Sequence, residues 1–208
     1  MTVLRSLADV GLRRAGNLLS RGAEGRRLVI LHYHRVPEEP DPMCPELLER
    51  RIFGLHMQAL ADVFHVVPLS EGLVQLQDGT LPPRAVAITF DDGYADNYQV
   101  ALPVLQHFRH PAAFFVAAGF LDGGCMFNDL VIEACRAAPV GNWQTGIGML
   151  GNYVVADGPA RSQLANQLIG RLKYLAADER LAVARQLLDS VGTRWPEHLM
   201  MTSDEVRA

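Results

Sequence analysis

A short apolar run that ends in two acidic residues constrains this chain more than any other feature. Ala85–Phe90 (AVAITF) has no charged side chain, which predicts a strand buried inside a sheet. Asp91, Asp92 and Gly93 follow it directly. The carboxyl ends of strands form the functional face of parallel α/β folds. We therefore expect a functional site at these two aspartates.

Two interpretations of the aspartate pair remain open from the residues alone. Adjacent carboxylates repel each other unless a cation or a proton relieves them. Their side chains diverge on an extended backbone, so one can hold a metal while the other moves protons. Alternatively, Asp91 and Asp92 only cap a helix that begins near Ala95, at its positive end.

Residues 28–128 alternate between short apolar runs and helical patterns. Buried strands separated by helices predict a parallel sheet with helices on its outside. The predicted strands are Leu28–Tyr33, Val63–Leu69, Ala85–Phe90 and Ala112–Ala117, and the predicted helices are Pro45–Ala61, Glu71–Gln77 and Ala95–Phe108.

The pattern changes after about residue 128. We predict helices over Asp129–Ala138, Pro159–Leu175 and Asp178–Val191, with Asp178 as the N-cap of the last one. The segment between the first two, Gly141–Gly158, is rich in glycine and weakly patterned. We interpret 129–196 as a helical insertion on the α/β core.

The N-terminal segment, residues 1–27, combines six arginines with apolar residues at helical spacing. It predicts a basic amphipathic helix that either packs on the domain or contacts a membrane surface. The segment lacks the features of a secretory signal, and no apolar run approaches the length of a transmembrane helix.

Charge and cysteine content narrow the partners and the compartment. The net charge of −4 argues against a nucleic-acid binder. The three cysteines show no C-x-x-C spacing, which favours a reducing compartment. We therefore predict a cytoplasmic protein, with peripheral membrane contact through residues 1–27 left open.

The string TFDDGYADN at 89–97 resembles the first motif of the polysaccharide deacetylase (NodB-homology) family, carbohydrate esterase family 4 in its broad sense. The resemblance extends over about 28–128. It includes the segments LVILHYHRVPEEP (28–40), PLSEGLVQL (68–76), LPPRAVAITFDDGYADNYQVALPVLQHF (81–108) and PAAFFVAAGFLDGG (111–124).

The resemblance implies the N-terminal part of a distorted (β/α) barrel that removes acetyl groups from N-acetylated polysaccharide or oligosaccharide. By position in the motif, Asp91 matches the base that activates water and Asp92 matches the carboxylate ligand of a divalent metal, commonly zinc. Gly93 would let the backbone turn beside the metal. Tyr94 replaces the proline of the shorter motif, and it is a candidate site-lining residue together with His34.

The family completes its metal site with an H-[ST]-x-x-H segment, and no two of the seven histidines here stand four apart. One aspartate alone cannot hold a catalytic zinc, which needs three protein ligands. His32 and His34 lie on one face of the first predicted strand and could bind metal, although a packed, hydrogen-bonded histidine is the commoner case.

The final residues also bear on the organisation. Thr202-x-x-Glu205 has the form of a capping box, which predicts a new helix. We expect the chain to be truncated before the metal-binding histidines. The predicted divisions are 1–27 (basic helix), 28–128 (barrel portion), 129–196 (helical insertion) and 197–208 (start of a truncated element).

Three classes of function compete. The leading one is a metal-dependent hydrolase of carbon–nitrogen, non-peptide bonds that N-deacetylates amino sugars. The second is an inactive fragment, or a module that only binds carbohydrate or a partner. The third is phosphoryl transfer, but phosphatases generally use D-x-D, which puts both carboxylates on the same side of a strand.

Overall fold

The computed structural model describes residues 27–208, which form two compact units. The sheet unit comprises the described part of Met1–Glu39 together with Leu48–Ala118 and Glu205–Ala208. The helical unit comprises Pro40–Leu47 and Gly119–Asp204. Apart from Arg27, the predicted basic helix at 1–27 lies outside the described residues. None of the helices between residues 27 and 208 is both long and apolar enough to cross a membrane.

The sheet unit is built around one buried central strand. In chain order its elements are β1 (Leu28–Tyr33), α1 (Arg50–Val63), β2 (His65–Val66), α2 (Leu69–Gln77), β3 (Ala85–Asp92), a π-helical segment (Asn97–Ala101), α3 (Leu102–Phe108) and β4 (Ala112–Val116). All strand pairs in this unit's described part are parallel. β3 pairs with β1 along one edge, and β2 and β4 share its other edge.

Aromatic rings form much of the sheet unit's core. Phe90 is fully buried, and its ring stacks on Phe114 and Tyr33 at centroid distances of 4.9 and 5.4 Å. Phe53 from α1 meets Phe90 edge-on at 5.9 Å. Because Phe90 is the last apolar residue of β3, this packing fixes the strand immediately before its two aspartates.

The helical unit has a core rich in leucine. Its elements are α4 (Phe127–Ala137), β5 (Gly141–Gln144), β6 (Asn152–Val155), α5 (Pro159–Leu172) and α6 (Ala177–Ser190). Leu130, Leu168 and Leu187 are almost completely buried in this core. A 3-10 turn (Ala118–Phe120) and a last short helix, α7 (Ser203–Arg207), each contain residues of both units.

The predicted α/β class, with parallel strands and intervening helices, is confirmed. The structure adds a hairpin for which the sequence made no prediction, and it shows that the predicted N-cap Asp178 was wrong. The weakly patterned segment after α4 contains an antiparallel hairpin, β5–β6, in which Thr145 Oγ1 donates to the Gly151 carbonyl at 2.7 Å. Asp178 lies in the first turn of α6, and the N-cap is Ala176.

The helix predicted from Pro45 begins instead at Arg50. Residues before it form turns, with Cys44 N donating to Asp41 O and Leu47 N donating to Cys44 O. These local hydrogen bonds satisfy the backbone without a helix, so apolar spacing alone placed the helix start too early.

Candidate functional site

The parallel pairing of β1 and β3 brings four polar side chains to one end of the sheet. Tyr33 is in register with Phe90, so the two strands reach the same edge together. In the chain segment of β1, His32 directly precedes Tyr33 and His34 directly follows it. In the segment of β3, Asp91 and Asp92 directly follow Phe90. The predicted site at the carboxyl end of β3 therefore gains two imidazoles from a neighbouring strand.

The four side chains lie in two histidine–aspartate pairs. His32 Nε2 and Asp91 Oδ2 are 2.9 Å apart, a hydrogen-bond distance. His34 Nε2 and Asp92 Oδ2 are 3.9 Å apart. The two imidazole rings are neighbours, with centroids separated by 4.4 Å. The side chains of His32, His34 and Asp91 are 47%, 50% and 40% exposed, so the pairs open towards solvent.

A tight turn after β3 fixes the aspartates. Asp92 and Gly93 both adopt left-handed backbone conformations, with φ of 73° and 81°. A Cβ atom on Gly93 would lie 2.7 Å from Val116 Cγ1, so this position requires glycine for its space as well as its φ. Ala117 N donates to Asp92 O at 3.0 Å, which ties the turn to the chain beyond β4.

Tyr94 has almost no exposed surface beside the two histidine–aspartate pairs. It is buried, and the guanidinium of Arg35 lies over its ring at 4.9 Å from the centroid. Tyr94 thus packs beneath Arg35, while the predicted site residues His34, Asp91, Asp92 and Gly93 are brought together at the strand ends.

Asp96 and Asn97 hold the chain segment that carries His34. Asp96 accepts hydrogen bonds from Arg35 Nε at 2.9 Å and from Val36 N at 3.2 Å. In the amide orientation that satisfies both its oxygen and its nitrogen, the buried Asn97 donates to the His34 carbonyl at 2.9 Å. Burial raises the pKa of Asp96, and the neighbouring Arg35 acts against this rise.

The sequence alone indicated no structural or catalytic role for Asp96 or Asn97. Both belong to the TFDDGYADN string, but nothing in their spacing indicated a hydrogen bond to a segment some sixty positions earlier in the chain. Such contacts depend on which strands are neighbours.

The donor set fits a divalent transition metal. Two imidazole nitrogens and one carboxylate, from His32, His34 and Asp91, have ligand atoms that all lie within 4.8 Å of one another. Three protein ligands of these types with an open position are typical of catalytic zinc sites. From the sequence we expected this chain to have too few protein ligands for a metal. His32 and His34 were expected to be packed, hydrogen-bonded histidines and not metal ligands.

The fold and the site define an α/β protein with a metal-compatible histidine–aspartate cluster at the carboxyl ends of parallel strands. Residues 78–137, which include β3 and both aspartates, match the sequence profile of the family described as polysaccharide deacetylase. This segment is similar to the polysaccharide deacetylase family, and the resemblance found in the sequence is confirmed over residues 78–137.

A relative from Bacillus subtilis (strain 168), YxkH, bears a name that places it among the polysaccharide deacetylases. It is 36% identical over 92 residues, which cover 43% of this chain and 32% of the relative. The chain thus spans about a third of the length of the curated relative that it matches.

Two solved structures show weaker likenesses. A de-N-acetylase from Aggregatibacter actinomycetemcomitans is 30% identical, with a TM-score of 0.39 and coverage of 46% of this chain and 39% of that one. IcaB from Ammonifex degensii is 22% identical, with a TM-score of 0.38 and coverage of 85% and 88%. Both TM-scores lie below 0.5, so neither structure supports an assignment of fold or activity to this chain.

Proposed function

We propose that this chain takes part in the metal-dependent hydrolysis of the acetamide bond of N-acetylated amino sugars in polysaccharide or oligosaccharide. The observation that carries the proposal is the histidine–aspartate cluster, which lies partly within the segment that matches the deacetylase family. The chain covers only about a third of the length of its relative. The activity of a complete deacetylase is therefore proposed for it and does not follow from the relative alone.

The reaction adds water across a carbon–nitrogen bond. The water oxygen bonds to the acetamide carbon, a carboxylate takes the water proton, and the carbon–nitrogen bond then breaks. The leaving nitrogen takes up a proton to give a free amine, and acetate is released. In the roles that the resemblance implies, Asp91 is the proton acceptor and Asp92 is a metal ligand.

The surroundings of Asp91 suit an acid–base role. Its hydrogen bond to His32 orients the carboxylate, and its exposure leaves one side open to a substrate. When bound, a divalent metal such as zinc polarises the acetamide carbonyl and stabilises the negative charge that develops on its oxygen. In these roles the imidazoles of His32 and His34 and the carboxylate of Asp92 are donors of the types that such an ion prefers, and Asp92 Oδ2 lies 3.9 Å from His34 Nε2.

We also propose that the parallel sheet is part of a distorted (β/α) barrel. The parallel pairing of β1, β3 and β4 and the placement of the cluster at their carboxyl ends support this proposal. A cytoplasmic location remains a prediction from the cysteine content.

The decisive assay measures acetate released from an N-acetylglucosamine oligomer with zinc supplied. We expect release to depend on the metal and the Asp91→Asn change to lower its rate by about 10²–10⁴-fold, the usual contribution of a positioned acid–base group. Asp62→Asn is the matched control, because Asp62 is an exposed aspartate on α1 that lies outside the cluster. We expect this variant to keep the wild-type rate.

Two results would contradict the proposed function. One is an Asp91→Asn protein that releases acetate as fast as the control. The other is a folded, zinc-supplied wild-type chain that releases none, which would leave the chain as an inactive fragment or a binding module.

A further inference from the structure

An open cavity in the helical unit carries side chains that the proposed hydrolysis does not use. It has a volume of about 300 Å³, it lies where α6 ends, and its lining residues are Leu188, Asp189, Thr193, Arg194, Trp195 and Glu197. All six residues belong to the helical unit. We infer that this cavity is a carbohydrate-binding site, in which the Trp195 ring is the platform for a sugar ring and the surrounding polar side chains bind its hydroxyl groups.

The tryptophan in this cavity differs from the chain's other tryptophan. Trp143 is buried, and its Nε1 donates to Ser190 Oγ at 3.2 Å, whereas Trp195 is 39% exposed. The guanidinium carbon of Arg185 lies over the Trp195 ring, 5.6 Å from the centroid, and this contact holds the ring in place. Trp195 therefore offers the cavity a fixed, flat apolar surface. The C–H groups on one face of a pyranose ring pack well against a surface of this kind.

The polar side chains around the ring combine acceptors with donors. The carboxylates of Asp189 and Glu197 accept hydrogen bonds, the Arg194 guanidinium donates them, and the Thr193 hydroxyl does both. Among residues 27–208, no hydrogen bond or ion pair engages the side chain of Asp189, Arg194 or Glu197. Sugar hydroxyl groups both donate and accept, so they match this mixture, whereas an anionic ligand would meet two like charges.

The cavity is built on a fixed part of the helical unit. Leu188 belongs to the buried core of the unit and also lines the cavity. The end of α6 is closed by Val191 N, which donates to Leu188 O at 3.2 Å, and by Gly192 N, which donates to Asp189 O at 3.0 Å. Small-molecule sites are usually preformed pockets of about 300–1,000 Å³ that combine apolar lining with a few polar groups. This cavity lies at the lower end of that range and therefore suits a short stretch of a glycan.

Only the choice of glycan rests on the proposed function. If polysaccharide is the substrate at the histidine–aspartate cluster, the cavity gives the chain a second attachment to the same polymer. Two sites on one chain that bind one polymer raise each other's effective ligand concentration. Binding in the cavity can be measured without turnover, so the two proposals can fail separately.

Titration of the full chain with an N-acetylglucosamine hexamer, followed by tryptophan fluorescence and calorimetry, tests the inference. A metal chelator is present throughout, so that no metal-dependent turnover occurs. Both tryptophans of the chain belong to the helical unit, so the fluorescence reports on that unit. We expect a saturable fluorescence change in the wild-type chain. Trp195→Ala should weaken the binding seen by calorimetry by about 30-fold or more, the loss typical of a tryptophan at the centre of a binding site.

Matched variants separate the cavity from the rest of the surface. Tyr174→Ala removes another exposed aromatic ring with a cation over it, Lys173 Nζ at 4.9 Å from the centroid, and Tyr174 is outside the lining of the cavity. This variant should keep the wild-type affinity. Trp195→Phe keeps a flat ring and should retain most of the affinity that Trp195→Ala loses. Glu197→Ala should weaken binding by about 10-fold, the loss of a hydrogen bond to a charged group. Circular dichroism of each variant shows whether it is folded.

Three results would overturn the inference. They are a wild-type titration without a saturable fluorescence change, an unchanged affinity in Trp195→Ala, and equal losses in Tyr174→Ala and Trp195→Ala. Acetate release by a chain whose glycan binding does not depend on Trp195 would contradict this inference and leave the proposed function standing. Glycan binding that depends on Trp195, in a zinc-supplied chain that releases no acetate, would contradict the proposed function and leave the carbohydrate site standing.

Discussion

The two units of the chain use their polar side chains in different ways. In the helical unit, Arg161 Nη1 donates to the carbonyls of Cys135 and Ala138 at 2.8 and 2.7 Å, where α4 ends. Arg171 likewise donates to the Met149 carbonyl at 2.7 Å. These groups complete the hydrogen bonding of the backbone, which stabilises the unit but leaves them little freedom for chemistry.

In the sheet unit the polar side chains at the strand ends face one another and solvent instead. The pairs His32–Asp91 and His34–Asp92 lie at strand ends, and about half of each imidazole is exposed. Ionisable side chains gathered in this way at strand ends are a feature of functional sites. The difference supports the proposal that the sheet unit carries the chemistry.

The largest effect is expected from Phe90→Ala in the sheet unit. Removing a fully buried ring that contacts three other aromatic rings should lower the free energy of unfolding by about 3–5 kcal/mol. Hydrogen exchange should quicken in β3, and zinc affinity should fall because both aspartates directly follow Phe90. Phe90→Leu, which leaves a smaller cavity, is the control and should cost less. If hydrogen exchange quickened equally in α5, the two units would unfold together, and their cores would not be independent.

Leu168→Ala tests the other core. Leu168 is fully buried on α5, and its truncation should cost about 2–5 kcal/mol. If the cores are separate, exchange quickens in α4, α5 and α6 while zinc affinity stays at the wild-type level. The control is the preceding residue, Gln167, which is exposed on the same helix and whose change to Ala should alter stability by less than about 0.5 kcal/mol. Loss of zinc binding in Leu168→Ala would contradict the separation.

A pH dependence belongs to the helical unit, and over any single pH unit it is the smallest of the three effects. Burial raises the pKa of the Cys135 thiol from 9.0 to about 12, against the opposing charge of Arg161. Between these values the unfolded chain loses the thiol proton and the folded chain keeps it. Stability should therefore fall as pH rises from 9 towards 12, by at most about 1.4 kcal/mol per pH unit.

Denaturant titrations at a series of alkaline pH values measure the slope of the free energy of unfolding against pH. Cys135→Ala should have a shallower slope than wild type, whatever its absolute stability, because it has no thiol to ionise. Identical slopes would show that the thiol makes no contribution to the pH dependence.

The central strand, the position of the aspartates and the family all followed from the order of residues along the chain. Ala85–Phe90 was predicted as a buried strand because its six consecutive residues are uncharged and mostly apolar, a pattern typical of strands buried on both faces of a parallel sheet. Asp91 and Asp92 had to lie at the strand's carboxyl end, since they directly follow it. The motif 89–97 revealed the resemblance to the polysaccharide deacetylase family because its residues are contiguous.

Which groups meet the aspartates depended on the folded chain. His32 lies 59 positions before Asp91, and no periodicity in the chain states that β1 is the neighbour of β3 or that Tyr33 is in register with Phe90. Strand order and register arise from packing over the whole sheet, where many side chains contribute small energies at once. For that reason the histidines could be predicted only as candidates from the sequence, and their distances to the aspartates came from the fold.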